Sequence, residues 1–344
     1  MKQTVMSLMN GAGMFAPFRL ASRSKALILM YHRFSRVDDG VSTSPQRFAE
    51  QLDYLTEHYQ IVSLSEVAGY LASGRPMPSG LAVLTIDDGY SDAYEIAFPI
   101  LRERKIPASL FVVTDFVDRK CWLWTDQLRY LTAHANPGTF EPTINGRAMR
   151  FELNGNSTRS KAAELINSQL KRLPYDLKDK TIDRLASVLG VELPPIPPNE
   201  VSSLTPEQLR EMDSAGVEIG SHTVTHQILT KVSVDRLQYE LCESRSRLES
   251  ILGRNVTLLG YPNGDHNKSV QREAVRAGYR CAVTADYGLN GEGSNPLALK
   301  RIHTEREMAQ FVKNTSGFDE FRSAIGLLRQ PRAFAEPHTI DKQL

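Results

Sequence analysis

Two pairs of residues with chemically useful side chains each follow an apolar stretch of this 344-residue chain. Asp87 and Asp88 come directly after Leu81–Ile86, a run that is typical of a buried parallel strand. His222 and His226 come directly after a second, shorter apolar run. Functional residues in sheets of parallel strands lie just beyond the carboxyl ends of the strands. Both pairs therefore stand where we expect chemistry.

The residue types predict a metal site. Two adjacent ionised carboxylates repel each other, so the pair Asp87 and Asp88 is unfavourable unless a cation or a shared proton stabilises it. Catalytic zinc takes imidazole nitrogen and carboxylate oxygen, and it keeps three protein ligands plus an open position for water. One aspartate and two histidines meet that requirement. The alternative is that both histidines are hydrogen-bonded structural residues.

These stretches resemble the polysaccharide deacetylases, carbohydrate esterase family 4, which share a NodB-type domain. The family's first motif, Thr-Phe-Asp-Asp-Gly, stands here as Thr85-Ile86-Asp87-Asp88-Gly89, and its second, His-Ser/Thr-x-x-His, as His222-Thr223-Val224-Thr225-His226. Other segments similar to the family are Met30–Arg33, Gly89–Asp92, Phe98–Leu101, Ile106–Phe111 and Leu229–Thr230. The resemblance implies a hydrolase of N-acylated sugars.

The resemblance also implies a role for each motif residue. Asp88, His222 and His226 would bind a divalent metal, with zinc as the first choice. Asp87 would be the general base that deprotonates the water held there. The metal and the backbone N–H of Asn263 would stabilise the tetrahedral oxyanion.

The third family motif, Arg-x-Pro-Tyr/Phe-Gly, departs from the pattern. It stands here as Gly260-Tyr261-Pro262-Asn263-Gly264, so the arginine that normally orients the base is missing. Arg301 on the last predicted strand is the candidate replacement, with a surface or structural cation as the alternative. His303 is the positional candidate for the family's general-acid histidine. Tyr261 and Pro262 are predicted substrate contacts.

Strands and helices alternate along the chain, which predicts an α/β architecture, and the resemblance sharpens this to a distorted (β/α) barrel of about seven units. Strands are predicted over 26–31, 61–62, 81–86, 108–113, 217–220, 256–259, 279–283 and 297–302. Helices are predicted over 47–59, 64–72, 93–105, 205–215 and 233–253, with a further helix ending at 277. The expected division is an N-terminal extension over 1–25, the deacetylase domain over 26–330 and a tail over 331–344.

The pattern changes between about residues 118 and 198, which predicts an insertion into the barrel. Residues 143–153 are typical of a hairpin that turns at Asn145-Gly146, and amphipathic helices are predicted over 158–173 and 177–189. We call residues 118–198 the insertion. It would serve either as a lid or substrate platform or as a packing appendage.

Three aromatic or imidazole side chains have two interpretations each. Trp122 and Trp124 would place both rings on one side of an extended segment, either to stack on sugar or, as the favoured interpretation, to anchor the insertion. His32 would lie at the carboxyl end of the first strand, either as a hydrogen-bonded rim residue or as a substrate contact.

Composition excludes some classes of protein. A net charge of +1 gives no electrostatic case for nucleic acid as a partner. Three cysteines without CxxC spacing, Cys121, Cys242 and Cys281, make a disulfide framework improbable. The first twenty residues contain no continuous apolar segment with a cleavage site, so no signal peptide is predicted and a cytoplasmic location is expected. A helix carrying Lys2, Arg19, Arg23 and Lys25 at the inner membrane surface is the alternative to a plain extension.

The leading hypothesis is a metal-dependent deacetylase that acts on an N-acetylated sugar in a bacterial polysaccharide or a lipid-linked glycan precursor. One alternative is another amide hydrolase of the superfamily, such as a deformylase of a lipid-linked amino sugar. A second alternative is a carbohydrate-binding protein without turnover, which the missing arginine favours. Retention of both aspartates and both histidines argues against it, because a binding module needs no base beside a metal.

Overall fold

The protein is described by a computed structural model that covers residue 11 and residues 13–326. In chain order its strands are β1 (Leu27–Tyr31), β2 (Gln60–Ile61), β3 (Leu81–Ile86), β4 (Ala108–Val112), β5 (Thr139–Phe140), β6 (Thr143–Ile144), β7 (Arg147–Ala148), β8 (Phe151–Glu152), β9 (Val217–Ser221), β10 (Leu258–Gly260), β11 (Cys281–Tyr287) and β12 (Leu299–His303). Within these described residues, seven parallel strands close a ring in the order β1, β12, β11, β10, β9, β4, β3, with β3 pairing back to β1. The short strand β2 pairs with β3 outside the ring. The predicted distorted barrel is confirmed.

Helices surround this ring. They are α1 (Ala16–Ala21), α2 (Pro45–His58), α3 (Leu64–Ser73), α4 (Phe98–Arg104), α5 (Thr114–Val117), α6 (Trp124–His134), α7 (Asn156–Leu170), α8 (Tyr175–Leu189), α9 (Pro206–Ser214), α10 (Val234–Leu252), α11 (Lys268–Arg276), α12 (Met308–Thr315) and α13 (Phe318–Ala324). Because helices cover the outer face of a parallel barrel, its strands are buried on both faces. Every residue of β1, β3 and β4 is buried.

Local sequence signals set several helix starts. The Ser44 hydroxyl accepts a hydrogen bond from the Arg47 N–H where α2 begins, and Pro45 occupies the first turn. Thr205 and Gln208 form the predicted capping box at α9. These caps satisfy backbone N–H groups that would otherwise be unpaired in the first turn of each helix.

Some predicted boundaries were wrong. The helix predicted over 93–105 begins as a π-helix, Ala93–Ala97, before α4 takes over. Pro99 has no N–H to donate and cannot continue the i→i−4 ladder at this point, which accounts for an irregular turn there. The strands predicted over 256–259 and 279–283 begin two residues later, as β10 and β11.

The insertion packs around its own apolar cluster. Strands β6 and β7 form the predicted hairpin with its turn at Asn145 and Gly146, and the two predicted helices are α7 and α8. Buried members of the cluster include Trp124, Leu128, Ile166 and Leu185. The insertion is thus a packed unit rather than an extended loop.

The faces of α1 and α13 pack together through Phe18, whose ring lies 4.9 Å from that of Phe318 and 5.2 Å from that of Phe321. Across the part of the chain that the structure describes, no helix has the length and apolar character needed to span a membrane. The predicted tail over 331–344 and Lys2 of the predicted extension lie outside the described residues.

Candidate active site

Asp87 and Asp88 lie at the carboxyl end of β3, where the backbone turns through unusual angles. Asp88 has φ 78° and Gly89 has φ 87°, in the left-handed region that non-glycine residues seldom adopt. A Cβ at Gly89 would lie 3.0 Å from the Val112 side chain of β4. The motif therefore needs glycine both for its conformation and for space.

The loop that carries the two histidines follows β9 and has similar backbone strain. Thr223 has φ 71° and His226 has φ 57°, and Asn263 after β10 has φ 60°. Left-handed non-glycine residues persist only where the surroundings hold them, and they cluster at functional sites. The strain at these residues and at Asp88 marks the carboxyl end of the barrel as the candidate active site.

Three ligand atoms converge at this end. Asp88 Oδ1 lies 3.5 Å from His222 Nε2 and 3.4 Å from His226 Nε2. One donor atom from each residue lies within 4.8 Å of the other two. The structure thus brings together the three predicted metal ligands from two separate strands.

The tautomer of His222 is fixed by a backbone carbonyl. Its Nδ1 lies 2.7 Å from the Gly260 oxygen, and because a carbonyl only accepts, Nδ1 must carry the proton. The lone pair is then on Nε2, the atom that faces Asp88. A Cβ at Gly260 would lie 2.9 Å from Nδ1, so glycine is needed for the ring to approach. His226 differs, since its buried Nδ1 has no hydrogen-bond partner among the described residues.

Burial sets the protonation of the three residues. It lowers the pKa of His222 and strongly lowers the pKa of His226, so both imidazoles are neutral at neutral pH. Burial, and then the charge of Asp87, raises the pKa of Asp88. Within the described chain Asp88 forms no ion pair with lysine or arginine. Two neutral imidazoles beside such a carboxylate fit a zinc ion.

Among the described residues Asp87, unlike Asp88, is paired with a positively charged side chain. The Arg301 guanidinium donates two hydrogen bonds to it, from Nη1 to Oδ1 and from Nη2 to Oδ2, each 2.8 Å long. Arg301 is 1% exposed and is itself held by the Thr284 carbonyl and the Thr85 hydroxyl. Burial alone would raise the pKa of Asp87, but the Arg301 charge outweighs it and lowers that pKa below its usual value. The contact expected of the missing motif arginine is therefore made from β12.

Two further histidines lie near Asp87. His32 Nε2 is 3.8 Å from Asp87 Oδ2, and the His32 side chain is 44% exposed. His303 ends β12 and pairs in register with Met30 of β1. Burial lowers the pKa of His303 to about 4, so its ring is neutral at neutral pH. Which of them donates a proton stays a prediction.

The third motif forms a short turn after β10. Asn263 donates from its side-chain amide to Asp265, and Pro262 is buried, contrary to its predicted contact with substrate. Tyr261 is fully buried, and its hydroxyl donates to the Leu297 carbonyl. The Tyr261 ring is thus a core residue that offers no surface to a substrate, contrary to the predicted substrate contact.

The two tryptophans are also packed side chains. Trp122 and Trp124 are 7% and 5% exposed, and the Trp122 ring meets the edge of Tyr130 at 5.4 Å. The extended segment ends at Leu123, because Trp124 is the first residue of α6. Their positions fit the anchoring interpretation and give no support to sugar stacking.

Sequence reasoning missed Glu240, which lies fully buried on α10 behind the histidine loop. Its carboxylate accepts hydrogen bonds from the N–H groups of Val224 and Thr225, at 2.8 and 2.9 Å, and from Arg236. A signal was present, since Glu240 falls on the apolar face of its predicted helix, three residues after Leu237.

Fold and site together define a barrel hydrolase with an aspartate and two histidines at the strand ends. The family model for polysaccharide deacetylase matches residues 74–282. The chain belongs to the polysaccharide deacetylase family, carbohydrate esterases that hydrolyse a C–N bond of an acetylated sugar.

Similar proteins come from several bacteria. YxkH of Bacillus subtilis (strain 168), named as a polysaccharide deacetylase, is 20% identical over 287 residues, which span 83% of this chain and 74% of YxkH. The poly-β-1,6-N-acetyl-D-glucosamine N-deacetylase of Escherichia coli (strain K12) is 40% identical over 79 residues, only 23% of this chain and 12% of that protein.

Two solved structures share the fold. The Streptococcus pyogenes deacetylase PplD in complex with acetate superposes with a TM-score of 0.58 at 21% identity, covering 86% of this chain and 99% of that one. IcaB from Ammonifex degensii gives a TM-score of 0.57 at 21% identity, covering 86% and 97%. At this level of identity the likeness establishes the fold.

Proposed function

We propose that this enzyme uses a divalent metal, zinc by preference, to remove N-acetyl groups from amino sugars of a bacterial polysaccharide or a lipid-linked glycan precursor. One observation carries the proposal. Asp88, His222 and His226 converge beside a second carboxylate, Asp87, that Arg301 keeps ionised. Ligands and base thus lie side by side at one end of the barrel.

The proposed chemistry divides between the ion and the chain's own groups. A zinc ion bound by Asp88, His222 and His226 would acidify a water molecule and polarise the amide carbonyl of the substrate. Asp87 would serve as the base for that water, since its carboxylate is ionised and held in one orientation by Arg301. The Asn263 N–H is assigned to the oxyanion.

The leaving amine needs a proton. His303 remains the first candidate donor, and His32, half-exposed and close to Asp87, is the second. A neutral imidazole must first take up a proton before it can protonate the amine, and negative charge that develops nearby raises its pKa and so favours the imidazolium form. His32 Nε2 lies 3.8 Å from Asp87 Oδ2, so a proton relay from Asp87 to that ring would be short.

The substrate class rests on the relatives. Proteins named as poly-β-1,6-N-acetyl-D-glucosamine N-deacetylases match short segments of this chain. They favour an N-acetylated glucosamine polymer over other amides. The binding-protein alternative loses its main argument, because Arg301 makes the contact to Asp87 that the missing motif arginine would make.

Mass spectrometry of acylated oligosaccharides incubated with zinc-loaded protein tests the proposal. We expect loss of acetyl groups from N-acetylglucosamine oligomers. Turnover of N-formyl but not N-acetyl sugars would establish the deformylase alternative. Saturable sugar binding without any acyl loss would establish the binding-protein alternative.

We also propose peripheral contact of a cytoplasmic protein with an anionic membrane through the joined faces of α1 and α13. Leu20 and Phe321 are 66% and 48% exposed there, with Arg23 exposed nearby. Apolar side chains beside cations suit an anionic lipid surface. Flotation with vesicles that contain phosphatidylglycerol should recover the protein, and Leu20→Glu should abolish this while Leu165→Glu, at an exposed leucine of the insertion, should not.

A further inference from the structure

The two histidines are held in different ways. The His222 ring is fixed through its Nδ1 by the Gly260 carbonyl, whereas no described residue is hydrogen-bonded to His226 Nδ1. Metal-binding histidines usually gain their orientation from a partner at that second nitrogen. The orientation of the His226 ring must therefore depend on the backbone of its own loop. That backbone is strained at Thr223 and His226.

A buried lysine of the insertion reaches this loop. Lys178 on α8 is 2% exposed, and its Nζ donates a 3.0 Å hydrogen bond to the side-chain oxygen of Gln227. Gln227 is 6% exposed and directly follows His226. The same ammonium lies 4.6 Å from the centre of the Trp124 ring. The insertion thus contacts the chain one residue away from a candidate metal ligand.

Stability alone does not explain a lysine at this position. Desolvation of an ammonium group is unfavourable, and burial lowers the pKa of Lys178 to about 8. Its contacts, an amide oxygen and an aromatic ring, are both uncharged, and the nearby carboxylates of Asp179 and Glu240 offset the desolvation only in part. Buried charged groups can often be replaced by apolar residues of similar volume without loss of stability. A methionine would fill this space beside Trp124 without that penalty.

We propose that Lys178 is a positioning residue for the metal site: its ammonium holds the Gln227 side chain and so fixes the loop that aims His226 at Asp88. This inference rests on the proposed metal-dependent function. It makes the insertion part of the metal centre, and neither a lid nor an appendage. Glu240 on α10 accepts hydrogen bonds from Val224 and Thr225 of the same loop, so both a barrel helix and the insertion hold this loop.

The test measures zinc affinity and stability of the full chain separately. Lys178→Met should raise the zinc dissociation constant, measured by competition with a chromogenic chelator, by about 10- to 100-fold. The thermal midpoint of the zinc-free protein should stay equal to that of the wild type or increase. Lys180→Met, at an exposed lysine on the same helix, is the matched control and should change neither quantity.

A second variant keeps the proposal testable if Lys178→Met folds poorly. Gln227→Leu should weaken zinc binding by a similar factor, and the double variant should show no further loss, because both changes break one contact. Wild-type affinity in Lys178→Met, or weaker zinc binding that only accompanies a matching drop in the zinc-free midpoint, would overturn the proposal. Failure of the wild type to bind zinc would instead overturn the proposed metal site and this inference with it.

Discussion

The candidate site has two halves that begin at adjacent residues and differ in how their charge is balanced. Asp87 and Asp88 are both buried, at 2% and 8% exposure. Asp87 receives two hydrogen bonds from the Arg301 guanidinium. Asp88 faces the ring nitrogens of His222 and His226, which burial keeps neutral.

The difference shows for which of the two carboxylates the protein itself balances the charge. A buried carboxylate without a paired cation is strongly disfavoured, and among the described residues Asp87 but not Asp88 is paired with an arginine or lysine. The half around Asp88 is a set of donor atoms that an external divalent ion would complete. We therefore assign proton transfer to Asp87 and metal binding to Asp88.

The largest effect expected is that of metal removal. Treatment with a strong chelator should abolish deacetylation, because neither the water nor the amide would then be activated. Stoichiometric zinc should restore turnover, while magnesium, which prefers an octahedral oxygen site, should not. Chelator-treated protein that retains full turnover with zinc far below one equivalent would contradict the assignment of the Asp88 half.

The next largest effect concerns the Asp87 half. Arg301→Met should lower the free energy of unfolding by about 3–5 kcal/mol, because it leaves a buried carboxylate unpaired. Urea unfolding measures this. The matched control is Asp87→Asn with Arg301→Met, which removes the charge as well and should recover much of the loss.

The pH dependence of that loss has a defined sign. In the wild type the pKa of Asp87 is lowered, so the contribution of this pair to stability is complete above the unfolded value of about 3.9 and is lost as pH falls below it. Without Arg301, burial would raise the pKa of Asp87. The variant would then gain stability relative to the wild type as pH falls from 7 toward 5, and a gap that stays constant would count against the pairing.

A smaller effect is expected at the proton donors. His303→Gln should lower turnover by roughly 10²-fold, the lower end of general acid catalysis, while zinc content stays unchanged. His32→Gln should have less effect, and exposed His134→Gln none. If His32→Gln gives the greater loss, the donor role belongs to His32.

The smallest effect is expected at Glu240, which holds the loop that carries His222 and His226. Glu240→Gln keeps the shape of the side chain but weakens its hydrogen bonds to the histidine loop. Zinc affinity should fall by about tenfold, and turnover at saturating zinc should stay close to that of the wild type. Unchanged affinity would show that the loop keeps its form without the carboxylate.

Sequence predicted the convergence of Asp88, His222 and His226 better than it predicted the residues around them. Asp88, His222 and His226 lie in short contiguous motifs at strand ends, where position along the chain already implies position in the barrel. Arg301 could be proposed only as a candidate, because its contact with Asp87 joins residues 214 positions apart. The contact between Lys178 and Gln227 was not predicted for the same reason, because these residues also lie far apart in the sequence.

Aromatic residues show a different limit. Tyr261, Trp122 and Trp124 have side chains that suit either a sugar or a core, and only the fold decides which. Tyr261 is fully buried, and both tryptophans pack within or beside the insertion. Residue type near a motif was therefore a poor guide to substrate contact.

Zinc content and turnover of Asp87→Asn and Asp88→Asn test the division between the two halves most directly. Asp87→Asn should retain about one zinc per chain while turnover falls by roughly 10²–10⁴-fold, the usual contribution of a general base. Asp88→Asn should lose zinc, and added zinc should restore only part of the activity. A zinc-free Asp87→Asn beside a zinc-loaded but inactive Asp88→Asn would contradict the account and exchange the two roles.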